Sequence, residues 1–181
     1  MKPGEYYNNR ITALQDDLKL LMKKRAMLAW LRFSTVIGIV ACCYFLLPFG
    51  LSFCIIPGIL MLILFTRLVF ADLTNKASLE HTRYLLAVNE DELKALSHNY
   101  YHFPEGRAYM PKEHYYANDL DIFGHASLYQ YINRTGSEMG SSTLAGWLSN
   151  PAASETISAR QEAIKELVKQ PAWRQQLQAY G

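Results

Sequence analysis

Between Phe33 and Thr66 the chain contains no Asp, Glu, Lys or Arg in 34 consecutive residues. That run excludes an ordinary solvated surface, because a bilayer's hydrocarbon core is about 30 Å thick and needs roughly 20 apolar helical residues to cross it. Cysteine is scarce as well, and Cys42, Cys43 and Cys54 all fall inside the charge-free run. A disulfide framework or a zinc site would need them at polar depths with ligand spacing; here they read as small apolar packing residues. The chain also lacks a Gly-x-x-x-x-Gly-Lys-Ser/Thr phosphate loop and any evident Ser/His/Asp or Cys/His arrangement. By itself it reads as a non-enzymatic chain with no catalytic, cofactor-binding or metal residues.

One straight helix across the whole run would be too long for a bilayer at about 1.5 Å per residue. Pro48-Phe49-Gly50 divides it near its middle with a strong turn signal. The expected arrangement is therefore a transmembrane hairpin over 28–71, with spans 28–47 and 51–70. Arg32 and Arg67 stand near the outer ends, where long cationic side chains snorkel to headgroups. Lys19, Lys23, Lys24, Arg25 and Arg32 precede or open the first span, Arg67, Lys76 and Arg83 end or follow the second, and the turn has none. The positive-inside rule then puts both termini in the cytoplasm. With 27 residues ahead of the first span and a second span after it, a cleaved signal peptide is excluded. The competing reading is a buried helical hairpin in a soluble protein.

The formal charge of +2 hides an asymmetry. Residues 1–32 hold seven Lys/Arg against three Asp/Glu, and residues 72–181 hold ten against thirteen. Basic charge thus sits beside the membrane, where anionic lipids attract it, while a tail of net −3 lacks the footprint of a nucleic-acid surface. Lys19, Lys23, Lys24 and Arg25 also suit a lipid-binding module.

Residues 1–27 read as an amphipathic juxtamembrane helix with the seam Ile11, Leu14, Leu18, Leu21, Arg25 and Leu28. Either a short coiled coil makes a homodimer, or the helix lies on its own neighbour or on the bilayer. Residues 72–118 read as a helical linker and a Tyr-rich loop. In it Leu73, Ala77, Tyr84, Leu85 and Val88 share a face, Asn89 with Glu92 resembles the start of a separate helix to Ser97, and 100–118 is irregular. Helices are expected over 126–133, 138–149, 154–169 with Ser154 as cap, and from Pro171 onward. The fold class is all-α. About 60 residues of amphipathic helices bury little surface unaided, so the last region reads as the front of something longer.

Candidate sites are few. His98 and His102 are spaced for a metal only if their segment is helical; exposed loop histidines are the simpler reading. Tyr100, Tyr101, Tyr109, Tyr115 and Tyr116, interleaved with Arg107, Lys112 and His114, either stack nucleic acid or anchor an irregular segment. Asp119 and Asp121 are more readily helix-start acids than an acid–base pair.

The run Asp119-Leu120-Asp121-Ile122-Phe123-Gly124, then Ser127-Leu128, Ile132-Asn133-Arg134-Thr135, Met139-Gly140, Leu144, Trp147-Leu148, Pro151 and Ile157 to Ile164 including Arg160, resembles the opening of the core (lever) domain of MutS-type DNA mismatch-repair proteins. The resemblance covers 119–181 and implies an all-helical domain in which Asp119, Asp121, Gly124, Asn133, Thr135, Gly140, Trp147, Pro151 and Arg160 are structural. With the upstream hairpin, the chain looks like the membrane-anchored bacterial MutS-like homologues, which implies the bacterial inner membrane. In a full-length relative the resemblance implies ATP and magnesium, with DNA uncertain and not held through this region. Phe103-Pro104-Glu105 fits the letters of that family's Phe-x-Glu mismatch motif but lacks its surrounding domain, and reads as coincidence. A non-enzymatic membrane adaptor that docks a protein partner is the alternative.

Overall fold

The computed structural model describes residues 2–46, 48 and 50–180, with backbone alone at 51–53. Leu47 at the expected end of the first span, Phe49 in the expected turn, and Gly181 lie outside the described residues. The regular structure among the described residues is helical, with no strand. Six α-helices follow in order: α1 Pro3–Leu46, α2 Leu51–Leu96, α3 Leu128–Ile132, α4 Glu138–Ser149, α5 Ser154–Val168 and α6 Pro171–Tyr180, with a 3-10 turn at Arg107–Tyr109 before α3.

The two long helices meet where the sequence has its proline and glycine. Gly50, just ahead of α2, has φ 114°, a backbone conformation that favours glycine. Both helices continue well beyond the charge-free run, because Leu, Lys, Met and Ala on either side are strong helix formers with no breaker among them. The chain divides into two compact units, one made of 12–83 and the other of 1–11 with 84–181.

Within the first unit the helices lie antiparallel. Asn75 donates to the Leu21 carbonyl at 3.0 Å, Arg32 pairs with Asp72 at 3.1 Å, and Gly38 is approached so closely by Met61 that a Cβ would stand 3.0 Å from its Cε. Leu14, Leu28 and Leu79 are buried between them, with Leu18 and Leu21 half-buried, so the N-terminal seam packs against the chain's own α2. Arg25, expected in that seam, is exposed. The other faces are apolar and open: Phe33, Val40, Phe45, Ile56 and Leu60 are all more than half exposed. Two helices are long and apolar enough to cross a membrane, and of their most apolar windows 11% and 0% are buried. A soluble core helix would be mostly buried instead.

The second unit corrects several expectations. Asn89 does not start a new helix; it is buried inside α2, where its amide donates to the Leu85 carbonyl at 2.7 Å. Of α2, Asn75 and Leu79 are buried in the first unit and Leu85 and Asn89 in the second, whereas Leu73, Ala77 and Tyr84 are exposed. Two of these buried residues are asparagines whose amides find backbone carbonyls, which apolar periodicity alone does not detect. Helix α3 begins at Leu128 rather than Ala126, because Ala126 has φ 59° and Ser127 caps, its hydroxyl accepting from Gln130 N. Helix α5 has Ala153 at its N-cap with no side-chain bond, so Ser154 is its first residue and not its cap.

The segment 100–118 does not behave as a linker. The core of this unit is Ala117, Ile122, Phe123, Tyr129 and Ala145, with Tyr109, Tyr116, Leu144 and Leu148 packed against it. Burying a few such side chains, at roughly 25 cal/mol per Å² of apolar surface, is what gives a short helix like α3 its place. Helices α5 and α6 are different. Ile157, Ile164, Leu167 and Val168 of the α5 stripe are all exposed, as are Trp173 and Leu177 of α6.

Candidate functional site

The residues between α3 and α4 form a closed set of polar bonds. Asn133 Oδ1 accepts from the Thr135 N–H at 3.0 Å and from its hydroxyl at 2.7 Å. The Ser141 hydroxyl lies 2.6 Å from Thr135 Oγ1, whose proton is already committed, so Ser141 donates. Ser137 caps α4 by accepting from Gly140 N at 3.1 Å. A Cβ on Gly140 would sit 3.2 Å from the Ser137 hydroxyl and 3.3 Å from Thr135 Cβ, which is why the smallest residue stands there. At the far end of α4 the exposed Trp147 carries the Arg160 guanidinium at 3.9 Å from its ring centroid, and the exposed Pro151 follows the C-cap Asn150.

Asp119 and Asp121 are exposed in the turn before Ile122, several residues ahead of α3, and do not act as acids in its first turn. Asp121 has φ 46°, and its carbonyl accepts from Leu128 N at 3.0 Å. Gly124 has φ 106° and bonds back to the Glu105 carbonyl at 2.9 Å, tying the Phe103-Pro104-Glu105 loop to the Asp-Ile-Phe-Gly turn. Phe103 lies under the Arg134 guanidinium at 3.9 Å. Arg107 and His125 both face the Glu105 carboxylate, and the Arg107 hydrogen bond holds it below its ordinary range.

The tyrosines anchor. Tyr100 donates to the Ala126 carbonyl at 3.1 Å, and Tyr116 to the Leu148 carbonyl at 3.4 Å, while Tyr115 is fully exposed. Tyr129 donates to the Ser141 carbonyl at 3.2 Å, and burial pushes its phenol up. His114 works alongside: Nε2 must donate to the Ser149 carbonyl at 2.8 Å, leaving Nδ1 to accept from Ala117 N at 3.2 Å. His98 and His102 part company after α2 ends; His98 stacks on Tyr131, and His102 approaches Asp91 at 3.2 Å. Among the described residues no three His, Cys, Asp or Glu side chains come together.

The bonding roles of Gln130 and Arg134 escaped sequence reasoning. Gln130 is fully buried and donates to the Tyr101 and Phe103 carbonyls at 3.0 and 2.7 Å while accepting from Ala126 N at 2.8 Å. Arg134 grips Glu92 at 2.5 Å and donates to the Tyr131 and Asn133 carbonyls, both at 2.9 Å. A lone Gln and an Arg among loops give no periodic signal; only their bonds reveal them.

The Arg134–Glu92 pair lines a cleft of about 440 Å³ in this unit. Tyr7, Thr135, Gly136, Leu167, Trp173 and Gln175 also line it. Burial is the main influence raising the Tyr7 phenol above its ordinary range, with the Glu92 charge adding to it.

Of the membrane-flanking cations, Lys19, Lys23, Lys24 and Arg25 are exposed on α1, Lys19 paired with Asp16 at 2.8 Å. Arg67 is exposed on α2. Arg32 is half-buried on Asp72 rather than free.

Residues 116–180 match a family model of MutS domain III. The match covers just over a third of the chain and supports a MutS-like relationship. It takes in the core residues Ala117, Ile122, Phe123, Tyr129 and Ala145, together with the Asn133–Thr135–Ser141 network. No curated protein matches the chain, and no solved structure does.

Proposed function

We propose that this chain is the membrane-anchoring front portion of a MutS-like ATPase, with α1 and α2 crossing the bacterial inner membrane as a hairpin and both termini in the cytoplasm. The observation that carries the reading is the coexistence of two exposed, apolar, antiparallel helices with a MutS domain III region in one chain. Exposed apolar surface on this scale suits lipid better than water. The Arg32–Asp72 pair supports it. A 20-residue span ending near Leu46 reaches back past Arg32, so a lone guanidinium there would lie below the headgroups; pairing with Asp72 offsets its charge.

Nucleotide chemistry is assigned elsewhere. This chain has no phosphate loop, and its Thr135-Gly136-Ser137 turn is committed to capping α4 and to the Asn133 network. ATP and magnesium would be held by other parts of the protein, and the MutS-like helices serve to connect the anchor to motion generated there. The exposed apolar stripe of α5 favours a second reading, a non-enzymatic adaptor that docks a protein partner.

Alkaline carbonate extraction of membranes from expressing cells tests the anchor. Retention in the pellet is expected, with a C-terminal fluorescent fusion glowing and a C-terminal alkaline phosphatase fusion inactive. A chain released into the supernatant as a monomer overturns it. Saturable nucleotide binding by this chain would overturn the assignment of nucleotide chemistry elsewhere.

A further inference from the structure

The side of α1 turned away from α2 changes from cationic to apolar within a few turns. Residues on a helix advance about 100° each, so positions seven apart share a side. Leu14, Leu28 and Thr35 are buried and the Leu21 carbonyl accepts from Asn75, which places that series of sevens against α2. Lys23, Trp30 and Ile37 form another such series on roughly the opposite side, and all three are exposed. Ala26 and Phe33 lie beside them on the same stripe and are exposed too. The Trp30 and Phe33 rings meet edge to face at 6.1 Å, and with Ala29 they line a shallow recess of about 300 Å³.

The charges along this stretch are unequal. Among the described residues Lys23, Lys24 and Arg25 have no ion pair, whereas Asp16 is taken by Lys19 at 2.8 Å and Asp72 by Arg32 at 3.1 Å. Asp17 stands about 9 Å farther along the axis from Lys23, away from the apolar run. Of the three uncommitted cations only Lys23 shares the stripe with Trp30. Lys24 lies on its flank, and Arg25 toward the α2 side. Lys23 is about 7.5 Å along the axis from position 28, where the first span opens, and that distance matches the depth of a headgroup layer.

We propose, on the hairpin reading, that this stripe holds an anionic phospholipid. The phosphate meets the Lys23 ammonium, the glycerol backbone passes over the small Ala26, and an acyl chain lies along Trp30, Phe33 and Ile37. Tryptophan is favoured at this depth because its ring spans the boundary between headgroup and chain. A zwitterionic headgroup brings its own cation to the phosphate and gains less from Lys23. A free anion would use the ammonium but leave the apolar residues uncovered.

The test is quenching of Trp30 fluorescence by lipids brominated on their acyl chains. The full chain carries Trp147→Phe and Trp173→Phe, which leaves Trp30 as its one tryptophan, and is reconstituted in phosphatidylcholine vesicles. Brominated phosphatidylglycerol or brominated phosphatidylcholine is added at equal mole fraction. The anionic lipid should be favoured beside Trp30 by about fivefold, the factor that one cation near an anionic leaflet is worth. Lys23→Gln should bring the ratio close to one, Arg25→Gln should change it little, and Lys165→Gln on α5 not at all. Equal losses in Lys23→Gln and Arg25→Gln would mean diffuse surface charge and overturn the site. Equal quenching by the two lipids overturns it as well, with the anchor intact. Inorganic phosphate should act no more strongly than chloride of the same ionic strength; a preference erased by phosphate alone would make this a free-anion site and overturn the proposal. Trp30 quenched by neither lipid would overturn the hairpin reading, and this proposal with it.

Discussion

Asn89 and Gln175 share a 2.8 Å hydrogen bond with both side chains buried, joining α2 to α6 across 86 residues of sequence. It is one of few polar links holding α6, whose Trp173 and Leu177 are otherwise open. Asn89→Ala removes the acceptor and leaves the Gln175 amide with neither of its groups satisfied. A destabilisation of about 1–3 kcal/mol is expected. Adding Gln175→Ala should cost less than the two single losses summed, because the second change removes the orphan that the first created. Urea denaturation of the four variants in detergent checks this, and strict additivity would contradict it.

Gly106 has φ 68°, and a Cβ there would stand 2.5 Å from the Tyr129 ring. Tyr129 is 1% exposed and cannot swing away. Gly106→Ala combines left-handed strain with overpacking and should cost roughly 2–4 kcal/mol. Gly146→Ala gives the opposite sign: this residue lies inside α4 with nothing within 4 Å of an added Cβ, so alanine should stabilise by about 0.5–1 kcal/mol. Thermal unfolding of the two variants should move in opposite directions.

The charge-free run, the glycine-bearing turn and the bounds of α4 were all legible in the sequence, because each rests on local chemistry. Lipid length, glycine at positive φ, and Asn150-Pro151 as a stop need no tertiary knowledge. Asn89 was not legible. With Glu92 three residues on it has the letters of a cap, and only Gln175, far along the chain, makes it an interior residue. The Tyr-rich segment was half legible: Tyr100 and Tyr116 do anchor through their hydroxyls, yet the Ala117 and Tyr109 contribution to the core depends on Ile122 and Phe123 folding back. Gln130 left no trace in the pattern, since a buried amide bonding three backbone groups looks in sequence like any surface glutamine.

Glu105 gives a pH prediction with a definite sign. Its carboxyl is held below the ordinary value of 4.5, first by the Arg107 hydrogen bond and then through His125. A depressed folded-state value means the carboxylate's contribution to stability is present above about pH 4.5 and disappears as pH falls through the folded value. Glu105→Gln should therefore melt below the parent chain at neutral pH, and the gap should close on acidification. A gap that stays constant from pH 7 to pH 3 would show that the ionised form does not matter.

Arg32 and Asp72 bring two charges to the edge of the apolar helices, with side chains 29% and 14% exposed. Asp72 Oδ1 is buried without a partner, so this carboxylate depends on the one guanidinium. Breaking a fully buried pair from one side costs about 3–5 kcal/mol, and the partial exposure here lowers the expectation to roughly 1–3 kcal/mol. Arg32→Leu and Asp72→Leu should each destabilise the helix pair by that amount. The double leucine variant should recover most or all of the loss, because two apolar residues at a packed interface dispense with the desolvation of both ions. Swapping the charges, Arg32→Asp with Asp72→Arg, should also recover part of it. A double leucine variant less stable than either single would mean that the pair contributes through another partner and not chiefly by neutralising its own charges. Amide hydrogen exchange at Leu28 and Leu79, the buried leucines nearest the pair's end of the helices, reads the outcome in detergent without requiring global unfolding.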